Sequence, residues 1–284
     1  GYAPESWQAL SDFLAQKGKV GLASFVPRAL PVSGDVACLS LLGYDPLEFY
    51  TGLAPLEALA IGINQNDSEI AFRFDLVTCL DGALVDPTAG LISSREADIL
   101  LSEISQNLGG VKLKVYSRGG YKNILIVSDP ELADVLDELQ CQTPWKAVGL
   151  PAEKWMPTGK GSELLKEWMN AAKKILENHE INRVRIDLKE NPANMVWLWA
   201  QGRRPKLPPF KQRYGMEGTF TAAADYARGV GKAIGLKAVD FPVKGTGDFT
   251  FVHFHQERPH PKDIQEKIKR IEDFDSKVVA PAVK

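Results

Sequence analysis

The chain is poor in the residues that build disulfide frameworks and metal clusters, since its 284 residues include three cysteines and four histidines. The cysteines, Cys38, Cys79 and Cys141, are widely spaced and odd in number. This pattern excludes a disulfide framework and a zinc knuckle. We expect the three thiols to be small buried side chains in a reducing compartment.

An excess of charge and a long apolar run are also missing. Lysine and arginine number 34 against 36 acidic residues, for a formal net charge of -2, so no broad basic surface is available for nucleic acid. No apolar run approaches the roughly 20 residues that cross a bilayer, and the N-terminus lacks a basic-then-apolar signal layout. We expect a soluble cytoplasmic protein without nucleic-acid or membrane partners, and the oligomeric state stays open.

What the chain does contain is a mixture of strand and helix patterns in an ordinary globular composition. Residues 69–78 alternate, with Phe72 and Phe74 on one face and Arg73 and Asp75 on the other. Further strands are predicted over 19–26, 111–116, 123–127 and 248–255. Apolar spacing predicts helices over 5–17, 94–108, 130–139, 161–178, 219–235 and 261–279. Mixed elements without an internal repeat indicate an α/β fold.

The turn Ser33-Gly34-Asp35 places a hydroxyl and a carboxylate before an apolar helical pattern. A serine attacks phosphorus when a base or metal activates its hydroxyl and helix-terminal amides receive the phosphate charge. The same residues are typical of an ordinary helix N-cap. The segment alone leaves both interpretations open.

Longer segments favour the first interpretation. GDVACLSLLGYDP from residue 34, TGLAPLEALA from residue 51 and AFRFDLVT from residue 71 resemble the segments GSDVA, LGYDP, TGRAPLEA and AFRCNLVT of archaeal-type cofactor-independent phosphoglycerate mutases. A later block over residues 182–210 resembles the same family. The matching segments lie in order and span most of the chain.

The resemblance implies a fold of the alkaline phosphatase superfamily. It implies a discontinuous three-layer α/β phosphotransfer domain made of residues 1–59 and 205–284. An α+β domain over residues 60–204 is inserted and covers the substrate. Further metal-cage segments are implied before Tyr2 and after Lys284, so we expect the chain to be part of a longer protein.

The implied reaction is a metal-dependent interconversion of 3-phosphoglycerate and 2-phosphoglycerate through a phosphoserine, without 2,3-bisphosphoglycerate. Ser33 is the implied nucleophile, and Asp35 and Arg228 share the catalytic site. Arg228 stands where the family usually has lysine, which keeps the charge and changes the reach. When Asp35 is aligned, the family's serine falls on Gly34, so Ser33 can serve only if the loop bulges.

The substrate is a small phosphorylated metabolite, and five residues are predicted to hold its phosphate and carboxylate. They are Arg73, Asp86, Arg183, Arg185 and Gln201. Without the resemblance each arginine would be read as a solvated surface residue, whereas a guanidinium fork grips both kinds of anion. Asp86 can instead form a turn, and Leu91 replaces the histidine of its family segment. Gln201 follows Trp197-Leu198-Trp199, which can line a cleft or belong to the core.

Two divalent metal ions are implied, with Mn²⁺ expected and Zn²⁺, Co²⁺ or Mg²⁺ as alternatives. Three of the four histidines stand at positions 253, 255 and 260, and the H-x-H pair is a workable ligand spacing on a strand. His260 fits one histidine of the family's metal segment, while the aspartate expected there is Gln256.

Two alternative functions accompany the mutase. One is a homoserine kinase of the same superfamily, although the sequence has no P-loop or kinase glycine loop. The other is a noncatalytic relative that binds a phosphorylated metabolite, which Leu91, Gln256 and the altered serine motif favour.

Overall fold

The computed structural model describes residues 8–16, 23–110, 112–240, 247–254 and 264–282. The chain packs into two compact units. The terminal unit combines both ends of the sequence, Gly1–Glu48 and Leu207–Lys284, and the central unit is the continuous stretch Phe49–Lys206.

The described residues form both helices and strands, in a mixed order along the chain. The helices are α1 Gln8–Gln16, α2 Gly34–Leu41, α3 Pro46–Phe49, α4 Leu53–Ala60, α5 Ser94–Leu108, α6 Pro130–Asp137, α7 Ser162–Asn178, α8 Glu180–Asp187, α9 Phe210–Tyr214, α10 Asp225–Ala233, α11 Ile264–Phe274 and α12 Ala280–Ala282. The strands are β1 Ile70–Leu80, β2 Ala83–Asp86, β3 Leu113–Ser117, β4 Lys122–Val127, β5 Met195–Gly202, β6 Gly218–Ala222, β7 Lys237–Ala238 and β8 Phe249–His253. This mixture confirms the predicted α/β class.

The central unit is built on an antiparallel sheet whose middle strand is β1. This strand pairs with β4, with β5 and, at its end, with β2, and β3 completes the sheet beside β4. Phe72 and Phe74 belong to the main hydrophobic core, as the alternation predicts. The opposite face of β1 is buried as well, so Arg73 and Asp75 lie in the interior and not at the surface.

Two of the predicted helices supply much of the main core. α5 and α7 lie close to their predicted ranges, and their buried apolar residues, among them Leu100, Ile104, Met169 and Leu176, belong to one cluster with the sheet. α5 begins at a capping box in which Ser93 and Glu96 exchange hydrogen bonds. Periodic apolar faces of this length were enough to predict both helices.

The other face of the sheet is covered by α4. Ala54 and Ala58 of this helix pack with Ala71 of β1 and with Ile124 and Ile126 of β4. The structure therefore places α4 in the central unit, whereas the predicted boundary at residue 59 put it with the chain ends. The small side chains of Ala54 and Ala58 allow α4 to pack closely against the sheet.

The terminal unit contains a parallel sheet in the order β7-β6-β8. α10 packs on α2 and on this sheet. The helix predicted over residues 219–235 is wrong in its first part, because β6 occupies Gly218–Ala222 before α10 begins. β-branched Thr219 and Thr221 favour a strand there. In the predicted strand over residues 19–26, the described residues 23–26 form no strand.

Among the described helices, none combines the length and the apolar character that a bilayer crossing requires.

Candidate active site

Ser33 occupies the N-cap position of α2, with an extended backbone at φ -144° and ψ 160°. Its carbonyl accepts the first helical hydrogen bond, from Ala37 at 3.1 Å. Its hydroxyl forms no capping bond and donates instead to the carbonyl of Pro31, at 3.4 Å. The residue is thus a cap by position only, and its hydroxyl stands at the positive end of the helix. Its role as nucleophile stays a prediction.

Tyr226 lies directly beside this turn. The sequence places it at the start of α10, and its ring packs so closely on Gly34 that a Cβ there would lie 2.6 Å from the ring carbon Cζ. The Tyr226 hydroxyl and Nε2 of His253 are 3.3 Å apart. Sequence reasoning did not single out Tyr226, because an aromatic residue in an amphipathic helix is normally read as core.

Asp35 and Arg228 are in the same unit. Asp35 is buried in the first turn of α2, where a carboxylate is favourable. Burial, and after it the charge of Asp35, raise the pKa of the Cys38 thiol to about 12. Arg228 pairs with Asp225 one turn earlier on α10. The structure therefore places the three predicted catalytic residues on two helices that pack together, and their catalytic roles stay predictions.

The described residues do not form the implied metal cage. Within them, no group of three or more histidine, cysteine, aspartate and glutamate side chains is close enough to hold a metal ion. The predicted ligand His260, like His255 and Gln256, lies outside the described residues.

In the central unit, Arg73 is the centre of a buried ionic network. Its Nη1 donates to both carboxylate oxygens of Glu57 at 3.0 and 2.9 Å, and its Nε and Nη2 donate to Asp75 at 3.0 and 2.8 Å. Burial alone lowers the pKa of a guanidinium, but the charges of Asp75 and Glu57 outweigh it and raise the pKa of Arg73 above its ordinary value. Arg73 is therefore a permanent internal cation with its donors committed to protein acceptors.

Two further side chains complete this network. Arg118 donates to Glu57 at 2.8 Å. Trp199 donates its indole N–H to Asp75 at 2.8 Å, and its ring lies under the Arg73 guanidinium, 5.2 Å from Cζ to the ring centroid. Two arginines thus balance two carboxylates. Sequence reasoning missed Glu57 and Arg118, although Glu57 lies inside a segment that carries the resemblance.

Asp86 organises a tight turn at the end of β2. Its carboxylate accepts hydrogen bonds from the Thr88 hydroxyl at 2.7 Å, from the Asn191 amide at 2.8 Å and from the backbone N–H groups of Thr88 and Gly90. Burial raises the pKa of Asp86, but these hydrogen bonds outweigh burial and bring the pKa below its ordinary value. The turn-forming interpretation therefore has direct support, and substrate binding by Asp86 stays a prediction.

Arg185 holds the same turn from α8. Its guanidinium donates to Glu96 at 3.0 and 3.1 Å and to the carbonyls of Asn191 and Ala89 at 3.0 Å each. Ala89 and Leu91 have positive φ values of 48° and 54°, which costs about 1–2 kcal/mol for each L-residue. The bonds made by Arg185 offset this strain, so its surroundings are those of a structural residue.

Arg183 and Gln201 differ in exposure. Arg183 is exposed on α8, which leaves it open to an anionic ligand. Gln201 is half-buried at the end of β5 and donates its side-chain amide to the Leu139 carbonyl. Ala200, with φ 53°, marks the irregular end of that strand. Of the five predicted substrate ligands, Arg183 is the one whose side chain is exposed in this structure.

Comparisons with known proteins agree with the sequence segments. A family model described as 2,3-bisphosphoglycerate-independent phosphoglycerate mutase matches residues 15–182. The mutase of that name from Methanosarcina barkeri is 36% identical over 294 residues, covering 96% of this chain and 73% of the relative. The chain belongs to the 2,3-bisphosphoglycerate-independent phosphoglycerate mutase family. A protein described as a probable mutase of this kind, from Geobacter sulfurreducens, is 32% identical and covers 95% of the chain.

Solved structures extend the comparison. The cofactor-independent phosphoglycerate mutase of Thermoplasma acidophilum matches with a TM-score of 0.53 and 26% identity, covering 86% of this chain and 70% of that one. A Pyrococcus horikoshii protein matches with a TM-score of 0.59 and 22% identity, covering 89% and 63%, and shows the fold alone. The predicted membership of the mutase family is confirmed.

The sequence segments predict two positions at which this chain departs from the pattern of the 2,3-bisphosphoglycerate-independent mutase family, and both lie in described parts of the structure. The resemblance places the family's serine at Gly34, and the Tyr226 ring fills the space that a side chain at this position would take. The resemblance places a histidine at Leu91, which is 67% exposed and lies in the strained turn beside Asp86. One of these positions begins α2 and the other lies in the turn after β2.

Proposed function

We propose that this chain interconverts 3-phosphoglycerate and 2-phosphoglycerate and does not require 2,3-bisphosphoglycerate. The observation that carries the proposal is the 36% identity over 96% of the chain to a mutase of this name. The helix-terminal position of Ser33 supports it, because phosphate groups bind at helix N-termini.

The proposed chemistry uses Ser33 as the phosphoryl acceptor. The Ser33 Oγ–phosphorus bond forms while the ester bond to glycerate breaks, and the serine proton passes to the leaving oxygen. The glycerate then turns, and its other hydroxyl takes the phosphoryl group back as Ser33 regains the proton. The amides of the first turn of α2 can balance the phosphate charge. Asp35 and Arg228 act beside the serine.

We further propose that the terminal unit is the phosphotransfer domain, of alkaline-phosphatase type, and that the central unit covers the substrate. Arg183 is the substrate ligand that needs no rearrangement, because its side chain is exposed. Arg73 and Arg185 can reach an anion only by leaving Glu57, Asp75 or Glu96. Asp86 and Gln201 would likewise exchange present partners for substrate.

The resemblance also implies two divalent ions, with Mn²⁺ expected. When bound, such ions would lower the pKa of the attacking hydroxyl and neutralise phosphate oxygens. The described residues do not by themselves fit such a cage, and the proposed roles of Ser33, Asp35 and the arginines do not depend on one.

Phosphorus NMR of purified protein with 3-phosphoglycerate tests the function. We expect 2-phosphoglycerate to form without 2,3-bisphosphoglycerate. ADP release with ATP and homoserine, without mutase turnover, would favour the kinase. Tight phosphoglycerate binding without any turnover would favour the noncatalytic relative. Full mutase activity in the presence of a chelator would contradict the metal dependence and leave the isomerisation standing.

Replacement of the predicted nucleophile tests the intermediate. Ser33→Ala should abolish phosphoenzyme labelling, because no hydroxyl then remains at the cap of α2. Ser40→Ala, which removes a serine near the other end of the same helix, is the matched control and should label normally. Undiminished labelling of Ser33→Ala would show that the serine is only a cap.

A further inference from the structure

α2 is held at both of its ends by a tyrosine that packs on a glycine. At its start, Tyr226 of α10 lies against Gly34. At its end, Tyr214 of α9 lies against Gly43, whose φ of 77° is in the left-handed region, and its hydroxyl donates to the Leu42 carbonyl at 3.0 Å. The two contacts are alike in chemistry and differ in which end of the helix they hold.

The contact at Gly34 admits no side chain. A Cβ there would lie 2.6 Å from Cζ and 2.8 Å from Cε2 of Tyr226, and closer still to the hydroxyl oxygen. Real Cβ atoms essentially never approach a heavy atom within 3.0 Å. Because ring carbons and not only the terminal oxygen are involved, the whole ring would have to move.

The Tyr226 ring is also held from its other side. Its hydroxyl is within hydrogen-bonding distance of His253 Nε2, at 3.3 Å, and the two rings meet edge to face with centroids 5.4 Å apart. His253 ends β8, and β8 pairs with β6, which leads into α10. The phenol is thus fixed by its own helix and by a strand of the sheet, with its hydroxyl against the residue that follows Ser33.

We propose that Tyr226 is a positioning residue for the Ser33 hydroxyl. The proposal rests on the proposed function of Ser33 as phosphoryl acceptor. The phenol, held by His253, sets the path of the Ser33-Gly34 backbone, and this path aims the serine oxygen at phosphorus. In-line attack is sensitive to displacements of about 1 Å, which can cost on the order of 10²-fold in rate. Glycine at position 34 is then required by the tyrosine and not by the turn itself.

The test compares Tyr226→Phe with Tyr214→Phe. Each variant keeps its ring, so each should fold, and each loses one tyrosine hydroxyl at one end of α2. We expect Tyr226→Phe to slow phosphoserine formation and kcat by about 10-fold or more, with KM for 3-phosphoglycerate little changed. Tyr214→Phe should leave the rate of phosphoserine formation unchanged, although the thermal midpoints of the two variants should be similar.

A second comparison tests the packing without reference to activity. Gly34→Ala should lower the thermal midpoint strongly in the wild-type background. It should lower the midpoint much less in a Tyr226→Leu background, because the ring that meets the new Cβ is gone. Equal effects in both backgrounds would overturn the contact on which the proposal depends.

The outcomes distinguish failure of the proposed function from failure of the positioning role. A wild-type protein without mutase turnover would refute the proposed function and, with it, a positioning role for Tyr226. Normal turnover combined with equal rates for the two phenylalanine variants would refute the positioning role alone. Loss of stability in Tyr226→Phe beyond that of Tyr214→Phe, with kcat unchanged, would show that the tyrosine is only structural.

Discussion

Replacing Arg73 by methionine should destabilise the central unit severely. The side chains of Arg73, Glu57 and Asp75 are 6%, 6% and 1% exposed. Methionine keeps the approximate length of the side chain and removes the cation that faces two buried carboxylates. Removal of one partner from a buried ion pair typically costs about 3–5 kcal/mol, because the remaining charge stays desolvated.

The structure indicates how that cost divides. Glu57 keeps the ion pair with Arg118, whereas Asp75 loses its ion pair and keeps the hydrogen bond from the Trp199 indole N–H. Most of the loss should therefore arise at Asp75. The free energy of unfolding of a typical domain is roughly 5–15 kcal/mol. We therefore expect Arg73→Met to remove a large part of the stability of the central unit.

Urea unfolding followed by tryptophan fluorescence measures this prediction. Five of the six tryptophans lie within Phe49–Lys206, so the signal reports mainly on the central unit. Arg183→Met is the matched control, since Arg183 is exposed and surface substitutions usually change stability by less than about 0.5 kcal/mol. An Arg73→Met midpoint equal to the control would refute the buried-network argument. Unchanged stability with loss of turnover would identify Arg73 as a substrate ligand.

Two further predictions use titration and reactivity. The pKa of Asp86 lies below its ordinary value of 3.8 in the folded protein. The ionised carboxylate therefore stabilises the fold above that value, and this stabilisation is lost as the pH falls through the folded pKa. Unfolding midpoints should show a loss of stability in acid that Asp86→Asn partly removes, and an identical acid profile in the variant would contradict this. Burial raises the pKa of the Cys38 thiol to about 12, and the thiolate is the form that reacts. Cys38 should therefore resist a thiol reagent at pH 8 in the native state and react after denaturation. Rapid labelling of Cys38 in the native protein, read by mass spectrometry, would contradict its burial.

The local pattern was enough to predict the elements with strong periodicity. α5 and α7 follow from their apolar faces, and the alternation over residues 69–78 predicts β1 and the core positions of Phe72 and Phe74. It failed at residues 219–235, where a short parallel strand and a helix are joined by two residues. Helical spacing across that stretch cannot reveal a strand whose stability depends on partners distant in sequence.

The candidate site was predictable in part. Ser33 at the start of a helix follows from its position before an apolar run, and the structure shows that this cap position carries no capping bond. Whether an arginine faces solvent, a ligand or a buried carboxylate does not follow from its neighbours in sequence. Arg183 and Arg185 are two positions apart on α8, yet one is exposed and the other is buried against Glu96.

The sequence by itself determined the family, the α/β class and the long periodic elements, because these depend on local spacing and on ordered segments of residues. Only the tertiary structure decided the partners of each charged group and the contact between Tyr226 and Gly34. Those pairs are distant in sequence, and burial, which makes their energies large, exists only once the chain has folded.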